Sequence, residues 1–238
     1  MSPSKTTARI AGLLYLIVIL TGFFTLIHVP SQLEIPGDAV ATVGNIEAAK
    51  PLFGSAIAAG VVCHAAFLVL PLVLYRLLGG VNRDVAALMV AFALVSVPIS
   101  LHNLAHKLDV LTLLGGAGHL QAFTAAQLRN EVMLALEAYH NGALISEVFW
   151  GLWLLPFGYL VFKSGFIPKV LGVLLMLGCF GYLVNITGRV LVPGYADSAM
   201  ASIVSVPSGL GEIGTCLWLL IAGVRERKGT ASRAASHG

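Results

Sequence analysis

The sequence predicts an all-α polytopic membrane protein, a bundle of six transmembrane helices with both termini in the cytoplasm. Hydrophobic residues make up 58% of the 238 residues and charged residues only 11%. A soluble domain carries about 25% charged residues, so most of this molecule does not face water. The mean hydropathy is +0.90. The apolar residues also fall into six runs, and a helix needs about 20 such residues to cross a hydrocarbon core of ~30 Å.

The six predicted spans are separated by polar or turn-forming segments. They cover residues 10–29, 52–75, about 85–108, 142–162, about 166–190 and about 203–224. Lys5 and Arg9 precede the first run, which is too long for the apolar region of a typical signal peptide, so we expect it to be the first span. Residues 31–51 contain Pro36-Gly37-Asp38 and are predicted to be a polar linker rich in turns.

The fourth and fifth spans are predicted to form a hairpin. Lys163-Ser164-Gly165 ends the fourth span, with Gly165 where a left-handed residue is needed, and Pro168 suits the first turn of the fifth. Thr124 and Gln127 match a capping box, which predicts a helix that begins before the fourth span and runs into it. Kinks are predicted at the prolines of the spans, which are Pro71, Pro98, Pro156 and Pro207.

The distribution of basic residues sets the expected orientation. Ten of the fourteen lie at one side of the predicted spans: Lys5, Arg9, Arg76, Arg83, Lys163, Lys169, Arg225, Arg227, Lys228 and Arg233. The positive-inside rule places this side, with both termini, in the cytoplasm. We expect a multi-pass protein of a bacterial cell membrane. The net charge of +3 therefore reflects the basic residues that orient the spans in the membrane, and nucleic acid is not an expected partner. We expect one domain over residues 1–228 and a disordered cytoplasmic tail over residues 229–238.

Polar residues inside the spans or near their outer boundary are the candidates for a ligand pocket, because such groups usually face the bundle interior or a wet cavity. Six are singled out: His64, His140, Glu147, Asn185, Arg189 and Glu212. Counting residues from the span ends places His64 and Glu212 roughly 14–18 Å below the outer edge. Most of the six fall in the half of the spans that lies away from the cytoplasm, which predicts a polar cavity that opens to the outside.

Glu212 has several interpretations. It is either a protonated acid hydrogen-bonded to a neighbouring helix, a partner of Arg189 or His64, or a group that binds a cationic or polar ligand. The three cysteines lie within apolar runs without metal-type spacing, and we interpret Cys63, Cys179 and Cys216 as small core residues.

A metal site is an alternative near the outer boundary. His102 and His106 are four residues apart and share a helix face, and His140 is a third candidate ligand. A single H-x-x-x-H pair is a weak signal. The other interpretations are interfacial histidines hydrogen-bonded to backbone or water, a proton relay, or ligand contacts. No cofactor is expected, and a metal ion at these histidines is the alternative.

Several stretches resemble a known family. These are A-R-I-A-G-L-L-Y at 8–15, H-N-G at 140–142, F-W-G-L-W at 149–153, G-Y-L at 158–160, K-S-G-F-I-P-K-V-L-G at 163–172 and G-E-I-G-T-C-L-W-L-L-I-A-G at 211–223. Together they resemble a bacterial family of six-span membrane proteins catalogued as a domain of unknown function, number 4386. The resemblance implies the six-span fold and brings no activity. His140 and Glu212 fall within its motifs, whereas His102, His106 and Glu147 lie outside them.

Three functional hypotheses follow from the sequence. The first, which is favoured, is a non-enzymatic role in binding or moving a small or lipophilic molecule through the outward-facing cavity, with the lipid bilayer as the surrounding partner. The second is a metal-dependent membrane enzyme, such as a lipid hydrolase, that uses His102, His106 and His140. The third is a structural or assembly role, in which the polar residues only hold helices together.

Overall fold

The computed structural model describes residues 4–116 and 118–224, which fold into a bundle of seven α-helices. The helices are α1 Lys5–Leu33, α2 Ala39–Ala48, α3 Lys50–Leu78, α4 Arg83–Leu113, α5 Ala125–Ser164, α6 Lys169–Leu191 and α7 Ala199–Ile221. All except α2 are long and apolar enough to cross a membrane, which confirms the prediction of a six-span helix bundle. The tail predicted over residues 229–238 lies outside the described residues.

The six long helices form a closed ring. Each packs against the next in the chain, and α7 returns to pack against α1. Lys5 of α1 therefore lies beside Gly223, just after the end of α7. We call this end of the bundle, which also carries Arg76, Lys163 and Lys169, the basic end, and the opposite end the far end.

The second half of α5 buries one face in the core at the basic end. Trp153, Leu154, Phe157 and Leu160 are at most 1% exposed and join the largest apolar core. The helix is interrupted at Trp153, where two helical segments meet. Pro156 has no N–H for the carbonyl four residues earlier, which explains why the helix is interrupted within that turn.

The hairpin between α5 and α6 forms as predicted. Gly165 adopts a φ of +74° after the last turn of α5, so the chain reverses through a left-handed residue. Pro168 lies one position earlier than expected, at the N-cap, and α6 begins at Lys169. Beyond the turn, a Cβ on Gly158 would lie 2.6 Å from the Gly172 carbonyl oxygen. Only glycine allows the two backbones to come this close.

The far end contains a helix that the sequence did not predict. Residues 31–51 were expected to be a polar linker, but Ala39–Ala48 forms α2, capped by the Asp38 side chain, which accepts from the Ala41 N–H. Thr42, Val43 and Ile46 are buried, with the three- and four-residue spacing of one helix face. The prediction was wrong because Pro36-Gly37 ends the preceding segment but does not prevent a helix from starting at Asp38.

The first half of α5 extends beyond the length a bilayer requires. The helix has 40 residues, which corresponds to ~60 Å, about twice the hydrocarbon thickness. Its start confirms the predicted capping box: Thr124 accepts from the Gln127 N–H, and the Gln127 side chain accepts from the Thr124 N–H. Val132 and Leu136 of this extension pack with α2 in a second apolar cluster at the far end.

Candidate ligand-binding cavity

A cavity of about 190 Å³ lies at mid-height in the bundle, bordered by α1, α3, α5, α6 and α7. Its wall is mainly apolar and aromatic. The polar side chains in the wall are Thr25, His64, Tyr182 and Glu212. This composition differs from the predicted polar cavity, because most of the predicted polar residues lie elsewhere.

An aromatic cluster borders the cavity at its end nearest the basic end. The Trp153 ring lies 5.0 Å from that of Phe157 and 5.1 Å from that of Phe67, between centroids. The fully buried Tyr15 packs 6.0 Å from Trp153 and donates its hydroxyl to Glu212 Oε2 at 3.0 Å. Glu212 therefore has a fixed position, because its partner is held by rigid rings.

His64 presents one nitrogen to the cavity. Its Nδ1 lies 2.6 Å from the Gly60 carbonyl oxygen, which can only accept, so Nδ1 carries the proton. In a neutral ring, Nε2 is then a free acceptor, and no residue in the described part of the chain donates to it. The imidazole stacks on Trp150 at 6.4 Å between centroids, which fixes the orientation of the ring.

A buried lysine lies between the cavity and the far end. Lys107 is 1% exposed, and its Nζ donates to the Thr25 carbonyl at 3.2 Å and lies 4.1 Å from the centre of the Tyr139 ring. The Thr25 carbonyl is available because α1 contains a π-turn, Phe24–His28, in which the Val29 N–H bonds Phe24 instead. The next residue, Pro30, has no N–H, so no helical donor reaches Thr25.

Asn103 closes the same region from α4. Its Nδ2 donates to the Tyr139 carbonyl at 2.8 Å, and Gly142 gives it room, since a Cβ there would lie 2.5 Å from Asn103 Cγ. A gap of only about 10 Å³ remains between these groups and His64. The outward route expected from the sequence is therefore filled by side chains.

The cavity is instead flanked by an open seam between α1 and α7. Toward the basic end, α7 packs on α1 through Glu212 and Cys216, whose Sγ lies 3.5 Å from the Gly12 carbonyl oxygen. The same face of α7 continues at three- and four-residue spacing through Gly209, Ser205 and Ser202, and all three are exposed. The facing residues of α1 become exposed in the same direction, with Phe23 at 55%. The exposure of these residues indicates a seam between the far-end halves of the two helices.

The structure separates the six predicted pocket residues into two groups. His64 and Glu212 line the cavity. The other four join helices or loops near the far end: Glu147 lies 3.6 Å from Arg189, His140 lies 3.2 Å from Glu34, and Asn185 donates to Ser205 at 2.7 Å and accepts from Tyr195 at 2.9 Å. Glu212 accepts a hydrogen bond from Tyr15 on a neighbouring helix, and it does not pair with Arg189 or His64, which were alternatives.

The histidines considered as metal ligands do not form a ligand group. His102 is exposed, and His106 lies 3.6 Å from Asp109 on the same helix. His140 is half-exposed and contacts Glu34. Within residues 4–116 and 118–224, no three histidine, cysteine or acidic side chains are arranged to hold a metal ion.

Comparison with known proteins identifies the family. The family model for a domain of unknown function, DUF4386, matches residues 10–223. The chain belongs to the DUF4386 family. An uncharacterized protein of Archaeoglobus fulgidus is 31% identical to this DUF4386 protein over 88 residues, which are 37% of this chain and 50% of the relative. The chain thus spans about half the length of that relative. No solved structure matches.

The stretches that carry the DUF4386 resemblance meet around the cavity. Tyr15 comes from the first stretch, Trp150 and Trp153 from the F-W-G-L-W stretch, and Glu212 from the last. The glycines of the middle stretches serve close packing, as at Gly158. The sequence motifs of this DUF4386 member therefore contribute residues to the cavity wall and also to the contacts that hold its helices together.

Three important residues were not among the predicted candidates. Tyr15 and Tyr182 were not singled out from the sequence, although the position of Tyr15 in a motif stretch was a usable signal. Lys107 lies at the polar outer end of the third predicted span, where it follows His102, Asn103 and His106. Its burial depends on the π-turn of α1, which no sequence pattern indicated.

Proposed function

We propose that this protein binds a small lipophilic molecule in the cavity at mid-height. The observation that supports this most strongly is a set of polar groups without protein partners in a mainly apolar wall. His64 Nε2 and the Tyr182 hydroxyl have no hydrogen-bond partner among residues 4–116 and 118–224. Glu212 accepts only from Tyr15. A mostly apolar pocket with a few convergent polar groups is typical of small-molecule sites.

The volume and the open seam favour a ligand that arrives through lipid. An apolar cavity of about 150 Å³ holds benzene, so about 190 Å³ accommodates a ring or a short chain. A longer apolar tail would extend between α1 and α7, where Phe23 and Val206 are 55% and 54% exposed. Lys107 and Asn103 fill the alternative route toward the far end.

We further propose that the protein resides in a bacterial cell membrane with the basic end in the cytoplasm. The described basic residues at that end are Lys5, Arg9, Arg76, Arg83, Lys163 and Lys169, against Lys50, Lys107, Arg129 and Arg189 toward the far end. The positive-inside rule favours this orientation. The cavity would then open to the half of the bilayer on the side away from the cytoplasm.

Native mass spectrometry of the purified protein tests the proposed binding. Wild-type protein taken directly from membranes should carry a non-covalent small-molecule adduct. Gly22→Leu should lose it, because Gly22 lines the cavity and a Cβ there meets only Cys63 Sγ, at 3.6 Å. The larger side chain therefore projects into the cavity rather than into the packed helices.

Leu20→Phe is the matched control on the same helix. Leu20 is 59% exposed and does not line the cavity, so this variant should keep the adduct. Both variants are first checked for wild-type circular dichroism and melting behaviour. Wild-type protein free of adduct, or a well-folded Gly22→Leu that retains it, would refute the proposed binding.

A further inference from the structure

The carboxylate of Glu212 lacks the basic partner that comparable carboxylates have. Glu147 has Arg189 within 3.6 Å, and Glu34 has His140 within 3.2 Å. In the described part of the chain, Glu212 has no basic side chain within ion-pair distance, and its one bond is to the Tyr15 hydroxyl. It nevertheless lies halfway along α7, ~14 Å from the helix end at Ile221. An ionisable group at that depth is costly and is by default a candidate functional residue.

The rest of the wall favours positive charge as well. None of the residues that line the cavity is a lysine or arginine. Lys107, the buried cation nearby in the bundle, donates to Thr25 and lies against Tyr139, and it does not line the cavity. The free Nε2 of His64 adds an acceptor.

Aromatic rings complete this arrangement. Trp150, Trp153, Tyr182 and Phe67 all line the cavity. Aromatic rings attract cations through their quadrupoles, most strongly where water is excluded. One carboxylate, an acceptor nitrogen and several aromatic rings without a competing cation form a surface complementary to an ammonium group.

We propose that the ligand is a lipophilic amine bound as its ammonium cation, with the nitrogen beside Glu212 and the apolar part in the aromatic cavity and the α1–α7 seam. This inference rests on the proposed function and adds the charge of the ligand. A carboxylate or phosphate ligand would meet Glu212 without any cation to balance the repulsion. A neutral alcohol would fit the cavity but would leave Glu212 without a charged partner.

The test compares three probes with the same alkyl chain: octylammonium, octanol and octanoate. Binding is followed by tryptophan fluorescence, because Trp150 and Trp153 line the cavity. The full chain is placed in phosphatidylcholine nanodiscs, with empty nanodiscs as the partition control. Octylammonium should bind on the order of tenfold more tightly than octanol, which corresponds to about 1.4 kcal/mol. Octanoate should bind most weakly.

Two glutamate variants separate a specific pair from a general charge effect. Glu212→Gln keeps the shape and an oxygen for Tyr15, and it should make octylammonium and octanol bind equally. Glu147→Gln removes a carboxylate outside the cavity and should keep the preference. Equal binding of the amine and the alcohol to wild-type protein, or a preference that survives Glu212→Gln, overturns the amine assignment while the binding function stands. If none of the three probes binds, both proposals are overturned.

Discussion

Replacing Gly142 with alanine tests how closely α4 must approach α5. A Cβ at this position would lie 2.5 Å from Asn103 Cγ and closer still to Asn103 Oδ1, whereas carbon atoms in good contact are ~3.5–4.0 Å apart. The Asn103 side chain must therefore move by ~1 Å or more. That movement breaks its hydrogen bond to the Tyr139 carbonyl, now 2.8 Å long.

The expected loss of stability follows from three contributions. Overpacking costs ~1–3 kcal/mol, and the lost hydrogen bond adds ~1 kcal/mol. Alanine recovers up to ~1 kcal/mol relative to glycine inside a helix. We therefore expect Gly142→Ala to lower the free energy of unfolding by ~1–3 kcal/mol, measured by circular dichroism during unfolding in mixed detergent micelles.

A control and a second-site change make this result specific. Gly44→Ala also places alanine inside a helix, but its Cβ meets nothing within 4 Å, so stability should hold or rise by up to ~1 kcal/mol. Combining Gly142→Ala with Asn103→Ala removes the clash, so the double variant should lose less than the sum of the single losses. Wild-type stability of Gly142→Ala, or strict additivity, would refute the close contact.

Three further predictions concern topology, the long helix and the cavity border. Reporter fusions should indicate the cytoplasm after Gly79 and Gly165, and the exterior after Asp38, Gly116 and Asp197; an exterior signal at Gly165 would contradict six spans. A cysteine at the exposed Asn130 should react with an impermeant maleimide, because α5 begins outside the bilayer, and protection would argue against that extension. A double-mutant cycle of Tyr15→Phe and Glu212→Ala should give a coupling of roughly 1–2 kcal/mol for the 3.0 Å hydrogen bond, with zero coupling as the contrary result.

Local chemistry made the long helices predictable. The length of the apolar runs alone identified six spans. Side chains that cap the backbone N–H groups of a helix, such as Thr124 and Gln127, marked where a helix begins. Gly165 likewise takes its left-handed conformation because the turn requires it. Most of the ends lie outward of the predicted bounds, because helices continue past the hydrocarbon length where tertiary contacts support them, but α6 begins later and α7 ends earlier than predicted.

The candidate site was less predictable because it depends on which faces of the helices meet. Counting residues along the spans placed His64 and Glu212 at similar depths, and both line the cavity. Depth did not indicate that Glu147 would meet Arg189, or that Glu212 would meet Tyr15 across the bundle. The position of Lys107 required the π-turn that frees the Thr25 carbonyl. Such contacts depend on the rotation of each helix, which periodicity alone does not fix.

The most direct test of the account is crystallographic. Crystals of the protein soaked with octylammonium carrying bromine at its terminal carbon locate the probe through the anomalous signal. We predict density for the nitrogen beside Glu212 and a bromine peak among the cavity aromatic residues or in the seam between α1 and α7. If the probe binds only on the lipid-facing surface and the cavity stays empty, both the binding site and its proposed entrance are contradicted.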